Sequence, residues 1–170
     1  MAAELLYQAY NGVAPTTAAQ VPQPTGTAIR TMLQIAVPST RDFYIVEWGI
    51  SFDGIAVTLP IRCELLTTTV AATMTTALAA ADIEQISAPL GPVSLTTYGT
   101  GLTAFSSAAV TEGTPANVRE LDVQLVAPTN QYIKQWPLGR EPVAPASSFI
   151  RIRVTANTSV NAYCYVVWGE

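Results

Sequence analysis

A two-residue period constrains this chain more than any other feature. In "FIRIRVTA" (149–156), Ile150, Ile152 and Val154 alternate with Arg151 and Arg153. That spacing is a strand with an apolar face turned inward and a charged face turned outward. The pattern recurs. "AIRTMLQIAV" (28–37) sets Ile29, Leu33, Ile35 and Val37 on one face and Arg30, Met32 and Gln34 on the other. "FYIVEWGISF" (43–52) aligns Tyr44, Val46, Trp48, Ile50 and Phe52, and "IRCELLTTT" (61–69) aligns Ile61, Cys63, Leu65 and Thr67. "VRELDVQLVA" (118–127) aligns Leu121, Val123 and Leu125, and "SVNAYCYVVW" (159–168) aligns Val160, Ala162, Cys164, Val166 and Trp168. Six such strands with turn signals between them predict an all-β, antiparallel sandwich. The long connections favour a jelly roll over an up-and-down barrel.

Two stretches break the period. Residues 1–10 suit a short helical turn or a strand, and 11–27, "NGVAPTTAAQVPQPTGT", holds three prolines and no charge. Proline removes donors and disfavours helix, so 1–27 reads as an extended N-terminal arm preceding a single β-domain over 28–170. Within that domain residues 70–117 form a long insertion rich in Ala, Thr, Gly and Ser. It contains one expected short helix at about 75–87, "TTALAAADIEQIS", stopped by Ala88-Pro89. Connections of this length in a compact domain are uncommon and often functional.

Histidine is absent. Its absence removes the commonest general base, the Ser-His-Asp and Cys-His arrangements, and most catalytic zinc sites. Paired carboxylates are the remaining route to hydrolysis. Asp82 and Glu84 stand two apart on the expected helix and so share no face. Glu120 and Asp122 share a strand face beside Arg119, a solvated surface arrangement, and Glu47 and Glu64 complete the candidates. No phosphate loop occurs, since "YGTGLT" (98–103) lacks the lysine and the preceding strand. Cys63 and Cys164 are expected as buried thiols on core-facing positions, with a bridge between them open if their strands are neighbours. The expectation is no enzyme, no metal and no cofactor.

Charge is scarce: 12% of residues against 49% hydrophobic, with a net charge of −4. No basic run suits a phosphate backbone, so nucleic acid is not an expected partner. No continuous apolar block reads as a membrane span or as a signal peptide. Part of the surface is therefore either covered by neighbouring subunits or padded with Thr, Ser, Asn and Gln.

One segment stands apart. "YIKQWPLGREP" (132–142) gathers Tyr132, Lys134, Trp136, Arg140 and Glu141 around a Pro-Leu-Gly turn. Tryptophan, tyrosine and arginine are enriched at protein interfaces, which makes these five residues interface candidates. Exposed aromatics beside polar groups also stack on sugar rings, which brings in Tyr98 as a third ring. In the purely architectural alternative, Trp136 caps one end of the sandwich and Arg140 pairs with Glu141.

A His-free, Thr/Ala-rich β-domain with an N-terminal arm, ending in "FIRIRVTANTSVNAYCYVVWGE", resembles the small virion proteins of tailed bacteriophages, and among these the capsid decoration (cement) proteins. The resemblance implies a structural role in the virion, self-association as a homotrimer, and attachment to a major capsid protein. The competing class is a carbohydrate- or receptor-binding module of the tail-fibre or lectin type.

Overall fold

The computed structural model describes residues 5–55, 59–87 and 91–170. The helix stop expected at Ala88-Pro89 lies outside the described residues. Two antiparallel sheets face each other. The first is built from β1 (Leu6–Tyr10), β2 (Gln23–Pro24), β4 (Phe43–Phe52), β7 (Ile83–Gln85), β10 (Gln131–Gln135), β11 (Val143–Ala144) and β13 (Asn161–Gly169). The second holds β3 (Arg30–Ala36), β5 (Ile61–Thr68), β6 (Thr76–Ala77), β8 (Ala104–Phe105), β9 (Arg119–Val126) and β12 (Phe149–Thr155). Strand order is β10-β4-β13-β1-β7 in the seven-stranded sheet, with β11 also on β4 and β2 on β13. In the six-stranded sheet it is β6-β8-β3-β12-β5-β9. The all-β sandwich is thus the fold.

Between the sheets lies one core. Trp48, Trp168, Phe43, Ile35, Leu65, Ile152 and Cys164 are all buried there. Trp168 stacks on Phe43 and on Tyr7, with ring centroids 5.8 and 6.2 Å apart. Cys63 and Cys164 are buried free thiols. Burial, with the nearby Glu64 charge, pushes the Cys63 thiol up to about 12.

β-Bulges correct the facing expected for three strands. In β3, Leu33 pairs with Ile152 and Thr31 with Arg153, so Met32 is an extra residue and lies in the core, not on the outward face. Val167 pairs with Glu47 but Trp168 pairs with Ile45, so Val46 is an extra residue in β4. A bulge reverses the alternation on either side of it. Phe43 and Ile45 therefore point inward, while Tyr44 is exposed. In β9, Asp122 pairs with Leu65 and Glu120 with Leu66, which makes Leu121 the extra residue. Asp122 then faces the interior with Val126, whereas Leu125 is 73% exposed. Glu120 and Asp122 consequently lie on opposite faces, not on one.

The arm is anchored at its start. β1 lies inside the sheet, paired with β13 on one side and β7 on the other. Buried Asn11 continues the ladder with its side chain: its Nδ2 donates to Ala162 O at 2.9 Å and its Oδ1 accepts from Cys164 N at 2.8 Å. Beyond it the chain is irregular to β2, as the prolines require. A boundary at residue 27 therefore cuts through the sandwich.

The expected helix at 75–87 is replaced by β6, a single 3-10 turn at Ala80–Asp82, and β7. Asp82 Oδ2 accepts from Ala79 N at 2.8 Å and so closes the turn. Isolated helices this short are marginal, and ladder bonds to β1 and β8 outweigh local propensity.

The largest departure concerns the outer face of the six-stranded sheet. The bulge at Met32 brings Thr31 to the same side as Gln34, and this face also carries Arg151, Arg153, Glu64 and Leu66, yet Thr31, Gln34, Leu66 and Arg151 are completely buried. The insertion 70–117 covers them, with Ala72, Met74 and Ala104 forming a second small apolar cluster. Its polar ties are specific. Gln34 Nε2 donates to Leu102 O (2.7 Å) while its Oε1 accepts from Ala72 N (2.8 Å). Glu112 holds both Arg151 Nη2 and the backbone amide of Thr31, and Thr31 Oγ1 donates to it at 2.8 Å. Alongside, Arg153 pairs with Glu64 at 2.7 Å, and Glu64 with Arg62 at 2.5 Å. Arg151, expected outside, is an interior residue.

Removing one partner of a buried ion pair strands the other charge. Glu112→Ala should therefore cost about 3–5 kcal/mol in urea unfolding, and Glu112→Gln less, because the amide still accepts. Deletion of residues 1–12 should abolish cooperative unfolding, since it removes a central strand; circular dichroism melting of the truncated chain checks this.

Candidate functional site

The segment 132–142 is split by the strand it begins with. β10 is the edge strand beside β4, pairing Tyr132 with Ile50, Lys134 with Trp48 and Gln135 with Glu47. Tyr132 turns inward. Its ring lies 5.5 Å from Trp48, and its hydroxyl donates to Asp122 Oδ2 at 2.9 Å. The same oxygen accepts from Trp48 Nε1 at 3.1 Å, and Gln124 donates to the other carboxylate oxygen. Asp122 thus ties β9 of one sheet to β4 and β10 of the other. Sequence reasoning missed this residue because the bulge at Leu121 leaves no mark in the alternation.

Trp136 is half-buried and packs against the core, and its amide donates to Val46 O at 3.0 Å. Past it the chain reverses. Arg140 N donates to Pro137 O at 3.0 Å, and Gly139 takes a positive φ of 78° at the turn. Leu138 at the tip is 93% exposed. Lys134 and Arg140 are exposed and Glu141 is half-buried. The expected Arg140–Glu141 pair is not among the ion pairs of the described residues. Of the five candidates, Tyr132 and Trp136 are committed to packing, whereas Lys134 and Arg140 remain at the surface.

The aromatic trio considered for sugar stacking does not assemble into one platform. Tyr132 and Trp136 serve the core edge, and the Tyr98 hydroxyl is buried in the insertion. The carboxylate candidates are likewise dispersed. Asp82 binds Ala14 N (2.7 Å) and Ala79 N, Glu84 lies exposed on β7, Glu64 sits between two arginines, and Glu47 accepts from Tyr165 OH at 2.5 Å within the seven-stranded sheet.

Two open strand edges adjoin on this side of the molecule. β9 ends the six-stranded sheet and β10 the seven-stranded one, and no strand among the described residues covers either outer edge. The side chain of Arg119 crosses from β9 to Val143 O of β11 at 2.9 Å. Leu125 on β9, Ile133 on β10 (53% exposed) and Leu138 on the turn are the large apolar side chains left in water here.

Comparison with family models, curated proteins and solved structures finds no match to this chain.

Burial and then the Asp122 carboxylate push the Tyr132 phenol up to about 12, against an ordinary value of about 10 in an unfolded chain. The neutral phenol is the form the fold favours. Its contribution is therefore complete below about pH 10 and lost as pH rises from about 10 to 12. Absorbance titration at alkaline pH should show one fewer late-ionising tyrosine in Tyr132→Phe than in the parent chain, because burial also raises Tyr7, Tyr98 and Tyr165.

Proposed function

We propose that the chain is a non-catalytic structural protein of a phage virion, of the capsid-decoration type, which binds a major capsid protein and associates with itself as a homotrimer. One observation carries the reading: β9, eight residues long, presents an outer edge that no strand among the described residues covers, with Leu125 protruding beside it. Natural sheets blunt or cover long edges, because an open edge is a template for pairing with another chain. Here the neighbouring β10 edge and the exposed Leu138 extend the same side.

The connectivity supports a jelly-roll form of the sandwich. β3, β4 and β5 alternate between sheets, as do β12 and β13, so the chain repeatedly crosses the ends of the sandwich. The scarcity of charge has two sources in this reading. The insertion covers one sheet face from within, and contacts with other subunits cover the β9/β10 side from without.

Light scattering on the eluted protein tests self-association, and co-sedimentation with undecorated capsids tests attachment. A trimer is expected, and Leu125→Lys with Leu138→Ser should weaken assembly or capsid binding at an unchanged melting temperature. Trp136→Ala should instead lower stability by about 2 kcal/mol, the cost of truncating a half-buried aromatic. A monomer that ignores capsids would refute the proposal.

A further inference from the structure

The outer face of the seven-stranded sheet carries a second feature, which meets the assembly side at β10. A groove of about 610 Å³ runs across it, within the size range of small-ligand sites. Strand register lays out its floor. Tyr10 on β1 faces Tyr165 on β13, Tyr165 faces Gly49 on β4, and Gly49 faces Ile133 on β10. With strands about 4.8 Å apart, this row of apolar side chains crosses roughly 14 Å of sheet. The Tyr10 and Tyr165 rings are side by side, with centroids 5.6 Å apart.

Glycine at 49 is what lets the row exist. A Cβ there would come within 2.5 Å of Cε1 of Tyr165, so the ring lies down over bare backbone. The Tyr165 hydroxyl is fixed by Glu47, and that of Tyr163 by the carbonyl of Gln20. The rings are thus held before any ligand arrives. The proline-rich loop after β1 supplies one wall, pinned where Ala14 N donates to Asp82 Oδ1.

Polar rows flank the aromatic one. On one side Glu84 faces Gln8 across β7 and β1; on the other, Tyr163 faces Ser51 and Ser51 faces Gln131. The side chains of Gln8, Glu84, Ser51 and Gln131 make no hydrogen bond among the described residues and are left for a ligand. No lysine or arginine lines the groove, and its charged groups are carboxylates.

We propose that this groove binds a neutral oligosaccharide, stacked on Tyr10 and Tyr165 and hydrogen-bonded through its hydroxyls to Gln8, Glu84, Ser51 and Gln131. A sugar ring presents an apolar C–H face and a polar rim, which matches an aromatic row between two rows of amides, hydroxyl and carboxylate. Anionic glycans and phosphates are disfavoured by the lack of any cation. A compact organic cation is disfavoured because the rings share one floor, whereas a cation cage needs rings on facing walls.

The test is a printed array of neutral and sialylated glycans, followed by calorimetry with the best neutral trisaccharide and with choline. Binding of neutral glycans is expected. Tyr10→Ala and Gln131→Ala, both at surface positions, should each weaken it roughly tenfold, about 1.4 kcal/mol. Tyr10→Phe should retain it. The inference is overturned by an array without neutral binders, by a preference for sialylated glycans or choline, or by binding that neither alanine variant changes.

Discussion

The buried clasp between Arg151, Thr31 and Glu112 governs the surface of this protein. Arg151 stands on the outer face of the six-stranded sheet, with hydrophobic strand residues on either side of it in sequence. A bare guanidinium cannot stay there out of water without a partner. Glu112 supplies the charge, Thr31 Oγ1 accepts from both Nε and Nη2, and the carbonyls of Val70 and Glu112 lie near Nη1. Each of these groups except Thr31 belongs to the insertion. The clasp therefore specifies where the insertion lands, and the Gln34 and Thr103 hydrogen bonds continue the seam along β3. A sandwich becomes, on that side, a three-layered body.

That covering redistributes what remains for function. The insertion hides Thr31, Gln34, Leu66 and Arg151 on the outer face of the six-stranded sheet while leaving Arg62 exposed, and the two proposed contact surfaces lie on the seven-stranded sheet and on the β9/β10 side. The two differ in chemistry. One is a pinned aromatic row with unpaired polar groups; the other is open backbone with isolated large apolar side chains. The proposed oligosaccharide lies on the first and the proposed partner chain on the second.

The strands were legible in the sequence because a half-buried strand writes its geometry as alternation, and "FIRIRVTA" is also strand β12 in the structure. The alternating apolar rows of β5 (Ile61, Cys63, Leu65), β12 (Ile150, Ile152, Val154) and β13 (Ala162, Cys164, Val166, Trp168) face the core as their period requires. What the period cannot express is a bulge. Met32, Val46 and Leu121 each add one residue without altering composition, and each reversed the facing of its neighbours, turning Thr31 outward, exposing Tyr44 and hiding Asp122. Nor can alternation tell an outer face covered by a distant segment from one in water, which is why Arg151 read as exposed. A faint signal did exist: Glu112 is the first charge after the uncharged run Gln85–Thr111. The aromatic groove escaped notice for a related reason, since Tyr10, Tyr165 and Ile133 meet only through cross-strand register. Within 132–142, two of the five candidate residues, Tyr132 and Trp136, serve the core edge instead of the surface.

Native-state hydrogen exchange tests the central claim, that the insertion is an integral layer, most directly. The amides of Thr31, Ala36 and Ala72 are bonded to side chains across the seam. They should exchange only through global unfolding, with the same protection as the ladder amides of β12. Exchange of those three through local opening, while β12 stays protected, would contradict the account and reduce the insertion to a loosely held loop.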